Sequence, residues 1–148
     1  MIPFNKANSL IRENIKESKK TELVNLTDAN KRILSNDVIS KVDQPWIDLS
    51  AMDGIVIHKR DSSKKNFSLV GESKAGDKFS NDFKFDEAKL IYTGAPVPGT
   101  HKIIIPKENF ILDEKKKQIN IIKKTKQVFI RQKGIDFRKN QKCLFKNS

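Results

Sequence analysis

The sequence predicts an α+β protein in which a helical N-terminal segment of about 45 residues precedes a β-rich module of about 100, with many short strands forming a curled or barrel-like sheet. Three observations carry that expectation. Apolar residues fall at helical spacing near the N-terminus, at Phe4, Ala7, Leu10, Ile11 and Ile15. Beyond Pro45, short apolar runs alternate with turn residues. Triplets such as Ile55-Val56-Ile57 and Ile103-Ile104-Ile105 supply material to bury in a chain of 148 residues that is 36% hydrophobic and 32% charged. Disorder throughout is therefore not expected, and no apolar run approaches the roughly 18 residues of a membrane span.

The first element is an amphipathic helix over residues 4–17, with Pro3 suited to the first turn. Thr21–Leu26 reads as a short strand. Thr27 and Asp28 then offer an N-cap for a short helix presenting Ala29, Ile33 and Leu34. Asp37–Val42 reads as the next strand, followed by strands at Gly54–His58, Phe67–Gly71, Ala88–Tyr92, Lys102–Ile105, Phe110–Leu112, Gln118–Ile122 and Val128–Arg131. Residues 113–117 (Asp-Glu-Lys-Lys-Lys) form a charged hairpin connector, and residues 61–66 a polar loop. No internal repeat or low-complexity linker interrupts the series. A length of 148 residues leads to the expectation of one core or two small ones.

Composition narrows the chemistry. A single cysteine, Cys143, makes no internal disulfide and reads as a half-buried strand residue, and with only His58 and His101 there is no Cys/His framework for zinc. The formal net charge of +12 is local: residues 111–148 carry 12 basic against 3 acidic side chains, while the first 110 are nearly balanced. Of the basic residues 25 are Lys and 5 are Arg, and the lysines cluster where turns are expected. That distribution favours a solvated surface over a nucleic-acid groove, which leans on Arg for bidentate contacts. At the N-terminus, Arg12, Glu13 and Lys16 interrupt the stretch that a secretory signal would keep apolar, so a cytoplasmic chain is expected.

Two segments are dense in small and acidic residues. Asp43-Gln44-Pro45-Trp46-Ile47-Asp48-Leu49-Ser50-Ala51-Met52-Asp53-Gly54 delivers a Ser-Ala-Met-Asp-Gly turn at the mouth of the Ile55–Ile57 strand. A carboxylate beside a glycine there can approach a ligand, or Asp53 can close an Asx or Ser/Thr turn on its own backbone. Tyr92-Thr93-Gly94-Ala95-Pro96-Val97-Pro98-Gly99 can present backbone N–H groups and the Thr93 hydroxyl to an anion, or serve as a proline-stiffened connection. It lacks the Gly-Lys-Ser/Thr ending of a nucleoside-triphosphate cradle. A third segment, Arg131-Gln132-Lys133-Gly134-Ile135-Asp136-Phe137, adds an Arg and an Asp around a glycine.

Taken in this order, Ser50-Ala51-Met52-Asp53-Gly54, Thr93-Gly94-Ala95-Pro96-Val97-Pro98 and the Arg-x-x-Gly-x-Asp run of Arg131, Gly134 and Asp136 resemble the signatures of the molybdopterin molybdenumtransferases, the MoeA family that includes the E domain of gephyrin. The Leu26–Leu34 segment and the strand at Asp37-Val38 match that family's opening region. The resemblance covers essentially the whole chain. It implies transfer of molybdenum from molybdate to adenylylated molybdopterin with release of AMP, in a Mg²⁺-dependent step of molybdenum cofactor assembly. It also implies a first domain begun by residues 1–45, a β-rich second domain of curled or bifurcated sheets over 46–140, and a return strand within 141–148. The pterin-binding and C-terminal domains are expected to be absent from these residues, which makes the chain the N-terminal portion of such an enzyme.

Carried over position by position, the resemblance makes Asp53, Thr93 and Asp136 catalytic residues and assigns cofactor binding to Ser50, Gly94 and Arg131. Asp53 and Asp136 would hold the Mg²⁺. A homodimer is implied, with each active site shared between subunits, and molybdopterin adenylyltransferase is a further partner; nucleic acid and membrane are not. Departures stand at Trp46, Leu49, Lys102 and Ile135, all read as rim positions. The alternative reading of the resemblance is a non-catalytic dimerisation or scaffold module of the same fold.

Overall fold

The computed structural model describes residues 1–15, 20–79 and 81–148, which divide into two compact units. One unit comprises Met1–Asp37 with Phe145–Ser148; the other is Val38–Leu144. No helix among the described residues is long and apolar enough to cross a membrane.

In the first unit, helix α1 spans Phe4–Asn14 and starts after Pro3, whose fixed φ suits helix entry. Ile15 is already extended, so the predicted helix stops one turn early; its positions 16 and 17 lie outside the described residues. The strand expected at Thr21–Leu26 does not form. Its alternation is genuine, but no neighbouring strand among the described residues pairs with it, and a lone strand leaves its backbone groups unpaired. The helix expected after Thr27 is instead a single 3₁₀ turn over Leu26–Asp28, with Asn25 in the cap position and no side-chain cap. Closure comes from the far end of the chain: the Leu34 N–H donates to the Ser148 carbonyl, the Asn147 N–H to the Leu34 carbonyl, and the Lys146 N–H to the Asp37 carboxylate at 2.7 Å.

The second unit is built on a curled, mixed six-stranded sheet. Its strands are β3 (Gly54–His58), β4 (Asn66–Ser73), β5 (Glu87–Ile91), β6 (Lys102–Pro106), β7 (Phe110–Asp113) and β8 (Gln118–Ile121), in the order β6-β3-β5-β4-β8-β7. All neighbours are antiparallel except β4 and β5, which run parallel with a bulge between Leu69 and Gly71. The two apolar triplets lie side by side, Ile55 opposite Ile105 and Ile57 opposite Ile103. β3 and β6 are buried on both faces, sending Ile55, Ile57, Ile103 and Ile105 into one apolar cluster and Val56 and Ile104 into another. Each fully buried Ile or Val contributes about 1.5–3 kcal/mol, and β6, although the edge strand of the sheet, is covered on its outer side where the Ile104 N–H donates to the Val128 carbonyl.

Two short ribbons complete it. β1 (Val38–Ile39) pairs with β10 (Lys142–Leu144), and β2 (Leu49–Ser50) with β9 (Ile130–Arg131). The strands expected over Asp37–Val42 and Val128–Arg131 are thus shorter than their sequences suggest, while Cys143 sits half-buried in β10. The hairpin expected between β7 and β8 is present, with the Lys116 N–H donating to the Asp113 carboxylate. The polar loop at 61–66 is not wholly solvated. Asp61 is 2% exposed and accepts the Asp86 N–H at 3.1 Å and the Lys64 ammonium at 3.0 Å.

Candidate functional site

Strand β2 gathers the three signature segments. On one edge it pairs with β9, so Leu49 lies opposite Arg131 and Ser50 opposite Ile130. On the other it meets the proline segment: the Ser50 N–H donates to the Ala95 carbonyl, the Gly94 N–H to the Ser50 carbonyl, and the Val97 N–H to the Asp48 carbonyl, all within 3.0 Å. A two-residue strand therefore joins segments about 45 and about 80 positions away in sequence. Such a strand has no periodicity, and nothing in the sequence marks it.

The turn at Tyr92–Ala95 is closed by the Ala95 N–H on the Tyr92 carbonyl, with Gly94 at φ +82° in its third position, a conformation that favours glycine. This turn aims Thr93 back at Asp53. The Thr93 N–H and the Thr93 Oγ1–H both donate to Asp53 Oδ1, each at 2.8 Å. The Thr93 N–H, then its hydroxyl, hold the Asp53 carboxyl below the usual aspartate range, with the Lys107 charge adding a smaller push in the same direction against partial burial. Asp53 is consequently an anion at neutral pH, and its Oδ2 takes no hydrogen bond among the described residues. The turn-closing role left open for Asp53 belongs to Ser50, whose buried hydroxyl donates to the Met52 carbonyl at 2.6 Å and accepts the Met52 N–H. The Thr93 donors expected to face an anion are engaged by Asp53 instead.

Arg131 and Asp136 form the second pair, with Arg131 Nη2 at 2.6 Å from Asp136 Oδ2 on an exposed surface. The loop between them is pinned to the first segment. The Gly134 N–H donates to the Pro45 carbonyl, the Asp136 N–H to the Gln44 carbonyl, and the Lys133 N–H to the Asp48 carboxylate. Gly134 adopts φ +71°, and an added Cβ would press on Arg138 Cγ at 3.3 Å. Asp43 accepts the Lys139 N–H and pairs with Lys133, and the Lys139 bond leads in lowering its pKa. The structure thus joins Asp53 to Thr93, Ser50 to Gly94, and Arg131 to Asp136. It makes no direct contact between the two carboxylates, Asp53 and Asp136.

The donor set can be tested against a hard divalent cation, which wants carboxylates and water. Among the described residues no three His, Cys, Asp or Glu side chains gather to hold a metal. Asp53 nonetheless fits as one ligand or as an anchor for metal-bound water, because it is ionised, held rigidly by Thr93, and keeps one oxygen without a protein donor. Asp136 contributes a carboxylate already neutralised by Arg131.

One expected rim position is not at the rim. The Lys102 side chain is 1% exposed, and its Nζ lies 2.7 Å from Asp82 Oδ1, 3.2 Å from His58 Nδ1 and 4.8 Å from the Phe83 ring centre. His58 Nε2 sits 2.7 Å from the Phe83 carbonyl oxygen and so donates to it, leaving Nδ1 to accept from Lys102. The cluster fastens the 82–85 loop to the sheet, with His58 also against the Phe85 ring. Gly99 makes room: a Cβ there would meet Asp82 Oδ2 at 2.6 Å. A lysine in a Lys-rich sequence gives no sign of burial, and its partners are 20 and 44 residues away. The neighbouring open cavity, about 490 Å³ lined by Val70, Asp82, Phe83, Lys84, Glu87 and Lys89, contains none of the expected site residues.

Comparison with known proteins adds relatives to this geometry. A family model described as MoeA N-terminal region (domain I and II) matches residues 2–148. The molybdopterin molybdenumtransferase of Haemophilus influenzae is 33% identical over 115 residues, covering 77% of this chain and 28% of that protein. The molybdopterin molybdenumtransferase of Nostoc sp. is 34% identical over 94 residues, or 60% of this chain and 22% of that protein. Among solved structures, the crystal structure of molybdopterin biosynthesis moeA protein from Pyrococcus horikoshii OT3 shares the fold, with a TM-score of 0.87 at 24% identity over 99% of this chain and 40% of that one. A second crystal structure of the Pyrococcus protein gives a TM-score of 0.73 at 26% identity. The chain spans less than a third of the length of these curated relatives.

Proposed function

The chain belongs to the family of the MoeA N-terminal region (domain I and II), and from that premise we propose that it supplies one wall of the active site of a molybdopterin molybdenumtransferase. The reaction is transfer of molybdenum from molybdate to adenylylated molybdopterin with release of AMP. The observation that carries this reading is the Asp53 carboxylate, held ionised by two donors from Thr93 with one oxygen left for a ligand. The names of the Haemophilus and Nostoc relatives support the transferase assignment.

In this reading Asp53, and Asp136 beside it in role, hold Mg²⁺ or its waters. The cation supplies charge neutralisation for oxyanions that would otherwise be repelled by the carboxylates. Thr93 positions Asp53, fixing which oxygen faces the ligand and keeping the carboxyl deprotonated. Gly94 supplies the turn that brings Thr93 there, and Ser50 anchors β2, which carries the whole arrangement. Arg131 holds Asp136 in place and offers its remaining guanidinium donors to an anionic group. The pterin-binding wall comes from the remainder of a family-length protein, working as a cytoplasmic homodimer with the site shared between subunits. Molybdopterin adenylyltransferase delivers the adenylylated substrate.

The test is direct. A family-length protein containing these 148 residues, given molybdate, adenylylated molybdopterin and Mg²⁺, should release AMP in step with molybdenum insertion. AMP release without inserted molybdenum, or neither, would contradict the assignment. The 148-residue chain alone should not turn over.

A further inference from the structure

An oxyanion brought to Asp53 meets a full negative charge, and the groups expected to balance it are already engaged. Both Thr93 donors point at Asp53, Arg131 is paired with Asp136, and Lys133 with Asp43. Lys107 is different. Gly54 of β3 lies opposite Pro106 of β6, and the two strands approach so closely that a Cβ on Gly54 would fall 2.0 Å from the Ile105 carbonyl oxygen. That contact sets the residue after Pro106 against the residue before Gly54. The Lys107 N–H donates to the Asp53 carbonyl at 3.0 Å, so the two residues are bound backbone to backbone. The Lys107 side chain is exposed and forms no ion pair with any described residue, and the backbone bond roots it beside Asp53.

We propose that Lys107 is the anion-binding cation of the Asp53 site, pairing with a tetrahedral oxyanion held beside the Asp53 carboxylate. The inference rests on the transferase reading and adds a binding residue to it. Its ligand is either molybdate or the phosphate of the adenylylated substrate, which are both tetrahedral and negatively charged. A compact ammonium on a flexible stem suits this task, because it follows a group that changes position during transfer without imposing a bidentate geometry. Placed next to a carboxylate that takes a divalent cation, it lets an anion bind there with its charge matched on two sides.

The experiment is titration of the ¹⁵N-labelled 148-residue chain with sodium molybdate, and separately with AMP, in the presence of Mg²⁺, following the amides of Thr93, Gly94 and Lys107. The wild-type chain should show saturable shifts at these amides. Lys107→Met should weaken binding by at least about tenfold and Lys107→Arg should recover most of it, with the rest of the spectrum unchanged because the side chain is exposed. A response to molybdate alone identifies the metal oxyanion as the ligand, and one to AMP alone identifies the phosphate; either one, weakened in Lys107→Met and recovered in Lys107→Arg, upholds the role of Lys107. Equal binding by wild type and Lys107→Met, or no binding by wild type, overturns it. Weakening in Asp53→Asn with none in Lys107→Met overturns this inference and leaves the transferase reading standing, whereas indifference to both substitutions overturns the two together.

Discussion

Thr93 gives both its backbone N–H and its hydroxyl to a single oxygen of Asp53, each at 2.8 Å. The bond spans 40 residues of sequence and locks the proline segment to the mouth of β3. An aspartate serving its own turn would bond a backbone group two or three residues away, as Ser50 does with Met52. Asp53 is instead a carboxylate placed by a distant segment, with its charge secured and one oxygen left over.

The approach of β3 to β6 is the constraint on which this placement depends. Gly54→Ala would put a methyl carbon against the Ile105 carbonyl and Pro106, both backbone, so neither can swing aside. We predict a loss of at least about 3 kcal/mol in urea unfolding, or failure to fold. A cost below about 1 kcal/mol would show that the strands separate easily.

Lys102 and Asp82 make an asymmetric pair, with the lysine side chain 1% exposed and the aspartate 56%. Removing Asp82 leaves a buried ammonium with no carboxylate partner, only the His58 ring and the Thr100 carbonyl. Removing Lys102 strands a carboxylate that water already reaches. Asp82→Ala should therefore destabilise the chain more than Lys102→Met, by about 1 kcal/mol in denaturant unfolding. The reverse order would mean that the ammonium is hydrated from elsewhere.

Asp61 sets an acid limit. Burial pushes its pKa up, but the Asp86 N–H and the Lys64 ammonium outweigh burial and hold it below the usual aspartate value. The folded state thus favours the ionised form. That stabilisation is complete above about pH 4, the value in the unfolded chain, and is lost as pH falls through the lower folded value. Asp61→Asn should be less stable than wild type at pH 7, and the gap in urea midpoint should close below about pH 4. A gap that stays constant with pH would assign the effect to packing.

The lysine run at the β7–β8 turn is a solvated surface in this account. Lys115 and Lys116 are exposed, and the turn is held by backbone N–H and carboxylate contacts that do not need the ammonium groups. Replacing both by Gln should change stability by no more than about 0.5 kcal/mol. A larger loss would show a docked segment.

What was legible in the sequence follows from what each element buries. β3 to β8 could be read because their apolar runs fill two clusters of one sheet. β2 could not, since two residues carry no period, and its importance lies in its neighbours. Thr21–Leu26 misled because alternation reports a strand only when a partner strand exists. At the site, the signature segments were visible as residue types, but the bond from Thr93 to Asp53 depends on a chain reversal at Gly94 that brings two distant loops together. Lys102 and Lys107 show the limit from both sides. One lysine is buried by partners far away in sequence, and the other is brought beside Asp53 by strand register.

The central claim is that Asp53 acts as a functional carboxylate, and Asp53→Asn in a family-length protein tests it most directly. Asn keeps an oxygen for both Thr93 donors, so the fold should survive with its melting temperature nearly unchanged, but it removes the charge and replaces the second oxygen by a donor. Molybdenum insertion should fall by at least about tenfold. Full activity in the folded variant, or a loss no greater than the fraction unfolded, would contradict the account and return Asp53 to a purely structural role.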